Sequence, residues 1–332
     1  MRAWRVHETG EPTDVMRLEE VPEPEPGPGQ ALIRVRAANV NFPDALLCRG
    51  HYQIRPPMPF TPGVELCGEV LAVGPGTDPG TAPAPGSRVV AQPALPGGAF
   101  AEKVLAPLAD VFPAPAALDD AEAAALHIGY QTGWFGLHRR AGLRAGETLL
   151  VHAAAGGVGS AAVQLGKAAG ATVIGVVGGP EKAAVARELG CDTVLDRTEA
   201  GDELPALVKE ATGGRGADVV YDPVGGSAYE ASTKCVAFEG RIVVVGFASG
   251  TIPRPGLNHA LVKNYSVLGL HWGLYRSRDP EAVTACHLEL TALAARGAIR
   301  PLVAERVPME GAADAVRRVA AGTTTGRLVV LP

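Results

Sequence analysis

Between residues 147 and 245 the chain repeats one unit: a short continuous apolar run, a turn of small residues, then apolar positions at helical spacing. The pairs fall at 148–152 with 158–169, 172–177 with 180–189, 193–195 with 202–211, and 217–221 with 227–238, followed by a run at 241–245. Apolar runs this short read as strands buried on both faces, and the intervening helix period supplies the cover. Five strands of this kind predict an open parallel sheet with helices on both sides.

The flanks follow other rules. Ala31–Ala37 (ALIRVRA) alternates apolar and polar positions, Val64–Val73 is a second strand candidate, and a Pro/Gly-rich stretch over 74–86 leads into 87–91. Residues 98–106 form another strand candidate, and Pro22–Pro28 reads as a stiff surface connection. Short strands cut by Pro and Gly predict a bent β domain. From Asp119, which can cap a helix, a helical pattern runs to Gly142. After about 265 the character is mixed: a strand at 266–270, a helix at 279–296, a short run at 302–307, a helix at 310–321 and a last strand at 327–331 able to rejoin the first domain. The expected division is 1–120, 121–264 and 265–332.

Composition narrows the classes. The 332 residues suffice for two domains, and 47% apolar content supports packed cores. A net charge of −5 without Lys/Arg clusters excludes a nucleic-acid-binding face. No apolar span of membrane length occurs, and the opening MRAWRVHETG lacks a signal peptide's apolar core. Cys48, Cys67, Cys191, Cys235 and Cys286 are scattered without a CxxC pair, which reads as buried thiols in a reducing, cytoplasmic setting.

The most informative segment is ETLLVHAAAGGVGSAAVQLGKAAGA, residues 147–171. A strand ends, a turn without bulky side chains follows, and the next helix turns its free N–H groups toward that gap; this is what a dinucleotide pyrophosphate needs. Relative to GxGxxG, Ala154 replaces the first glycine while Gly156 and Gly159 keep the others. Ala155, Gly157 and Val158 complete the turn. The second strand ends in Val176-Val177-Gly178-Gly179 without the carboxylate that holds the ribose hydroxyls of NAD. Lys182, and Arg197 beyond strand three, are candidate cations for a 2′-phosphate, so NADPH is the expected coenzyme; each also reads as a solvated helix or loop residue. Val224 in Asp222-Pro-Val-Gly and Phe247 in Gly-Phe-Ala-Ser-Gly sit in turns after two further strands, where ligands of open α/β sheets gather.

With these segments placed, the chain resembles the zinc-independent quinone oxidoreductases of the medium-chain dehydrogenase/reductase superfamily. The resemblance rests on NFPDALLCRGHY at 41–52, PGVE at 62–65, AAGGVG at 154–159, YDPVGG at 221–226, VVGFASG at 244–250 and TGRLVV at 325–330. It implies an α/β protein: a GroES-like, β-rich catalytic domain built from both chain ends, a Rossmann doubly wound sheet, and a reaction cleft between them. It implies pyridine-nucleotide contacts at Asn41, Thr132, Gly157, Val158, Lys182, Phe247 and Arg327, with Arg197 where the family has a tyrosine. It also implies a homodimer or tetramer, with 266–270 extending the Rossmann sheet across a subunit boundary.

Zinc relatives place histidine between the residues matching Gly63 and Glu65; here Val64 stands there, so no metal is expected. A quinone or activated enone needs little beyond stacking, exclusion of water and a hydrogen bond to developing charge. Asn41 and Tyr52 are the expected polar contacts at the reacting ring, each with a structural alternative as turn brace and cleft wall. Related enoyl thioester reductases use the tyrosine matching Tyr52 as a proton donor, so enoyl thioester or enone reduction stays open beside quinone reduction. A non-catalytic NADPH-binding protein is the third reading.

Overall fold

A computed structural model describes every residue except 79 and 81. The chain divides into two compact units, one of 1–128 with 300–332 and one of 129–299. The first opens with β1 (Arg2–Val6), α1 (Pro12–Val15), β2 (Met16–Glu20), β3 (Gln30–Asn39) and α2 (Phe42–Cys48). It continues through β4 (Leu66–Val73), β5 (Arg88–Ala91), β6 (Lys103–Pro107), β7 (Val111–Pro113) and into α3 (Asp120–Trp134), within which the units divide.

The second unit holds β8 (Thr148–His152), α4 (Gly157–Ala168), β9 (Thr172–Val177), α5 (Pro180–Glu188), β10 (Thr193–Asp196), α6 (Arg197–Ala200) and α7 (Leu204–Ala211). After these come β11 (Ala217–Asp222), α8 (Gly226–Cys235), β12 (Val236–Val244), α9 (Leu257–Lys263), β13 (Ser266–Gly269), α10 (Tyr275–Arg278) and α11 (Pro280–Ala295). The chain then returns to the first unit with β14 (Val303–Pro308), α12 (Ala312–Ala320) and β15 (Arg327–Leu331).

In the first unit a seven-stranded sheet follows the path β14-β15-β3-β4-β5-β7, with β6, the seventh strand, paired to β3 off that path. The alternation read in 31–37 is real: Ala31, Ile33, Val35 and Ala37 are buried while Arg34 and Arg36 face water. Antiparallel pairing of Val329 with Asn39 and Val330 with Ala38 brings the last strand back to the first domain, as its pattern suggested. Phe60, Leu66, Phe100 and Val330 lie in the core between this sheet and its covering helices.

The second unit is a fully parallel sheet in the order β10-β9-β8-β11-β12-β13. Renumbered from β8 this is 3-2-1-4-5-6, the doubly wound order, whose direction reverses between β8 and β11. All five residues of β8 are buried, as a central parallel strand requires.

Three expectations shift. The sheet has six strands, because Ser266–Gly269 pairs with β12 inside the same chain. Residues 265–299 consequently pack with the Rossmann unit, and the divisions fall after 128 and 299 rather than at 120 and 264. The helix expected over 227–238 stops at Cys235, and β12 starts at Val236, which pairs with Ala217; Glu239 at φ 58 marks the irregularity before the strand resumes at Arg241.

Candidate coenzyme and acceptor site

The carboxyl end of β8 delivers the glycine-rich turn. Ala153 takes the left-handed conformation (φ 51), whereas Gly156 is ordinary at φ −87. Close packing decides Gly159: a Cβ there would lie 2.1 Å from the Ala153 carbonyl oxygen. Ala154 is tolerated at the first fingerprint position because residue 175 is glycine; a Cβ on Gly175 would sit 3.0 Å from the Ala154 methyl. Ala154 and Ala155 are both buried under the turn. Gly157, Val158 and Gly159 occupy the first turn of α4, where N–H groups have no preceding helical carbonyl and the helix dipole is positive. Thr132 lies half-buried on α3 beside Gly133, where that helix packs tightly on Leu165 of α4.

A second corner forms beyond β9. Gly178 and Gly179 lead into α5, with Gly179 at φ 97. The Arg197 guanidinium lies over Gly178, so close that a Cβ there would come 3.1 Å from Nη2. Partial burial, and then the field of Arg197, hold the Lys182 ammonium below its ordinary value. Gly178, Lys182 and Arg197, chosen separately from the sequence, therefore share one electropositive corner.

At the switch point, buried Asp222 ends β11. Its Oδ1 accepts from the N–H groups of Val224 (2.8 Å) and Gly225 (2.9 Å), which fixes the turn. The 222–225 turn is stitched to the next one by Ala248 N–H on Pro223 O (3.1 Å) and Ser249 N–H on Val224 O (3.0 Å). Gly225, at φ 69, lets Phe247 approach until a Cβ would meet its ring at 2.8 Å. Val224 and Phe247 are thus brought together, with Phe247 partly exposed.

His152, last in β8, went unassigned in the sequence. Its Nε2 lies 2.8 Å from Ser232 Oγ, which itself donates to Ala228 O (2.7 Å), so the neutral imidazole carries its proton on Nε2. Burial pushes its pKa down. This bond ties the strand under the glycine-rich turn to α8.

In the first unit Asn41 is the hub of a buried polar cluster. Its Oδ1 accepts from Arg327 Nη1 (2.9 Å), its Nδ2 donates to Glu65 Oε1 (2.8 Å), and its main-chain N–H donates to Asp44 Oδ2 (2.7 Å). Glu65 also accepts from Asn39 Nδ2 (2.6 Å) and from the Ile128 N–H (2.7 Å). Burial pushes the Glu65 carboxyl up, against the field of Arg327. Asp44 accepts from Gly63 N–H as well (2.9 Å), yet burial still raises its carboxyl to about 7. Asn41 is only 4% exposed, with both ends of its amide engaged. Asn41 therefore stands as a brace between Arg327 and Glu65, the structural role that the sequence left open beside a contact at the reacting ring. Tyr52 follows α2 in irregular chain, half-buried against the core of the first unit.

All five cysteines are buried free thiols. Among the described residues no group of three His, Cys, Asp or Glu side chains is placed to hold a metal ion. No helix of the described residues is long and apolar enough to cross a membrane.

Comparison with known proteins matches residues 27–116 to the alcohol dehydrogenase GroES-like domain and residues 157–287 to the zinc-binding dehydrogenase domain. Quinone oxidoreductase-like protein 2 homolog of Nematostella vectensis is 36% identical, over 91% of this chain and 81% of that protein. Among solved structures, a mycobacterial protein complexed with NADPH is 34% identical, with a TM-score of 0.93 and all of both chains covered. Escherichia coli quinone oxidoreductase complexed with NADPH is 31% identical, with a TM-score of 0.91 over all of both chains.

Proposed function

The chain belongs to the zinc-independent quinone oxidoreductase family of the medium-chain dehydrogenase/reductase superfamily, and from that premise we propose that it uses NADPH to reduce quinones or closely related conjugated carbonyl compounds. The observation that carries the coenzyme is the corner where the Arg197 guanidinium lies over Gly178 within reach of the Lys182 charge, at the same end of the sheet as a glycine-rich turn suited to pyrophosphate. When bound, NADPH supplies the hydride for a conjugated acceptor.

The chain's own residues bind and orient. N–H groups of Gly157, Val158 and Gly159 receive the pyrophosphate, and Lys182 and Arg197 take the 2′-phosphate. Thr132, Val224 and Phe247 line the approach to the nicotinamide. Tyr52 donates a hydrogen bond to the acceptor oxygen as charge develops there. Arg327 contacts the coenzyme, held for the task by Asn41 and Glu65.

The test is NADPH oxidation with benzoquinone, naphthoquinone, phenanthrenequinone, small enones and enoyl thioesters, with NADH as control. Quinone turnover with NADPH, at least several-fold above NADH, is expected. In Tyr52→Phe, quinone turnover should fall about a hundredfold, the scale of one lost donor to developing charge; only a modest fall would leave Tyr52 a stacking and orienting wall. Turnover confined to enoyl thioesters and abolished in Tyr52→Phe would replace quinones by that class, with Tyr52 as proton donor. Binding of NADPH without turnover of any acceptor would sink the catalytic reading.

A further inference from the structure

We infer that Asp196 sets this chain's preference for NADPH over NADH, as a positioning residue that latches the two cation-bearing segments of the coenzyme corner together. The inference rests on the reading above, that Lys182 and Arg197 meet the 2′-phosphate.

Lys182 and Arg197 sit on different segments. Lys182 belongs to the first turn of α5 and Arg197 opens α6, so nothing in the local chain fixes their separation. Strands β9 and β10 run side by side with Val177 opposite Asp196, and both end at this point. From there Asp196 reaches across: Oδ1 and Oδ2 each lie 3.0 Å from the Gly179 N–H. Its Oδ1 also accepts from Thr198 N–H (2.9 Å) and Thr198 Oγ1 (2.7 Å). One carboxylate therefore pins the Gly178-Gly179 loop, which feeds Lys182, to the segment carrying Arg197.

A carboxylate beside a phosphate site would ordinarily repel the ligand. Here its lone pairs face backbone and hydroxyl donors, and those bonds hold its carboxyl below the usual range. Its negative charge is directed into the loop, while the guanidinium one residue on lies over Gly178. Burial first, and then the field of Arg197, hold the Lys182 ammonium below its ordinary value, so the two cations repel across the corner and without the latch the two segments would drift apart. NADH has no 2′-phosphate and would be indifferent to that drift.

The experiment is fluorescence titration of the full chain with NADPH and with NADH. Asp196→Ala should weaken NADPH about tenfold, the scale of one charge-assisted contact, with NADH changed less than about twofold. Asp196→Asn retains an oxygen for Thr198 and Gly179 and should stay within about threefold of the parent for both coenzymes. Thr198→Val removes one latch bond and keeps the carboxylate; it should weaken NADPH about threefold with NADH unchanged, and it keeps the idea testable if Asp196→Ala fails to fold. An unchanged ratio of the two Kd values in Asp196→Ala, whether both weaken or neither does, overturns the inference. So does Asp196→Asn tightening NADPH several-fold, because the carboxylate would then act by repulsion. The variant carrying both Lys182→Ala and Arg197→Ala separates the layers: a lost preference there beside an intact one in Asp196→Ala defeats only the latch, whereas an unchanged ratio there defeats the phosphate reading itself.

Discussion

Asp44 shows how much one buried side chain can impose. It holds the main chain of Asn41 on one side and of Gly63 on the other, so the polar loops around Arg327 depend on a carboxyl with no access to water. Desolvation raises it to about 7, and two N–H donors pull it back only in part. The folded chain then binds a proton that the unfolded chain, near the ordinary value of 3.8, has released. Between those two values the folded state holds more protons, so the Asp44 contribution to stability falls as pH rises and is fully present only below about 4. The stability gap between the parent and Asp44→Asn should therefore widen as pH drops from 7 to 5, read as urea midpoints at each pH. A gap that narrows over that range would show that Asp44 is held ionised. Residues of this kind were only partly legible: the stretch NFPDALLCRGHY at 41–52 contains both Asn41 and Asp44, but Asp196 looked like any acid at a strand end. Its partner Gly179 is distant in sequence, and only the pairing of β9 with β10 brings them together.

At the scale of elements, the reading succeeded where burial was one-sided or complete. β8 and β9 match their expected bounds because their runs are buried throughout or nearly so. β1 and β2, five residues each, pair mainly with one another, and their runs are too short and too mixed in polarity to stand out on either side of the Gly10–Pro12 turn. The seven-residue α2 was missed because Pro43 interrupts its pattern; Pro is allowed there as a first-turn residue, with Asp44 bonding back to the Asn41 N–H. The sheet's stitching was equally invisible. Arg241 on β12 places Nη1 and Nη2 each 2.9 Å from a Glu147 oxygen, and also donates to Ala141 O (2.9 Å) and Asp218 O (3.2 Å). The two side chains are 19% and 21% exposed, so the pair is shielded enough to matter. Arg241→Ala should cost about 2 kcal/mol in chemical unfolding. A cycle with Glu147→Ala should return a coupling of about 1–2 kcal/mol; below about 0.5, the pair is ornamental and the carbonyl contacts carry the effect.

At the scale of the molecule, the Rossmann sheet ends at β13, whose outer side pairs with no strand among the described residues. β13 pairs with β12 on one side only, and it leaves Val267 44% exposed. Just before it, α9 exposes Leu257 (81%), Leu261 (77%) and Val262 (78%). An apolar edge strand with unpaired N–H and C=O groups is a template for another strand, and soluble chains normally blunt such edges with charge or proline. Ser266-Val-Leu-Gly carries neither. A twofold arrangement placing β13 against the same strand of a second chain would satisfy the backbone of both and bury α9's apolar face. The chain is accordingly expected to run in light scattering at twice its 34.1 kDa, or four times if the dimers pair again. Val267→Lys together with Leu261→Lys should shift the mass toward the monomer while each unit keeps its helix and strand content by circular dichroism. A parent chain already monomeric at micromolar concentration would mean that the bare edge is tolerated, and an unshifted oligomer in the double variant would place the subunit contact on another face.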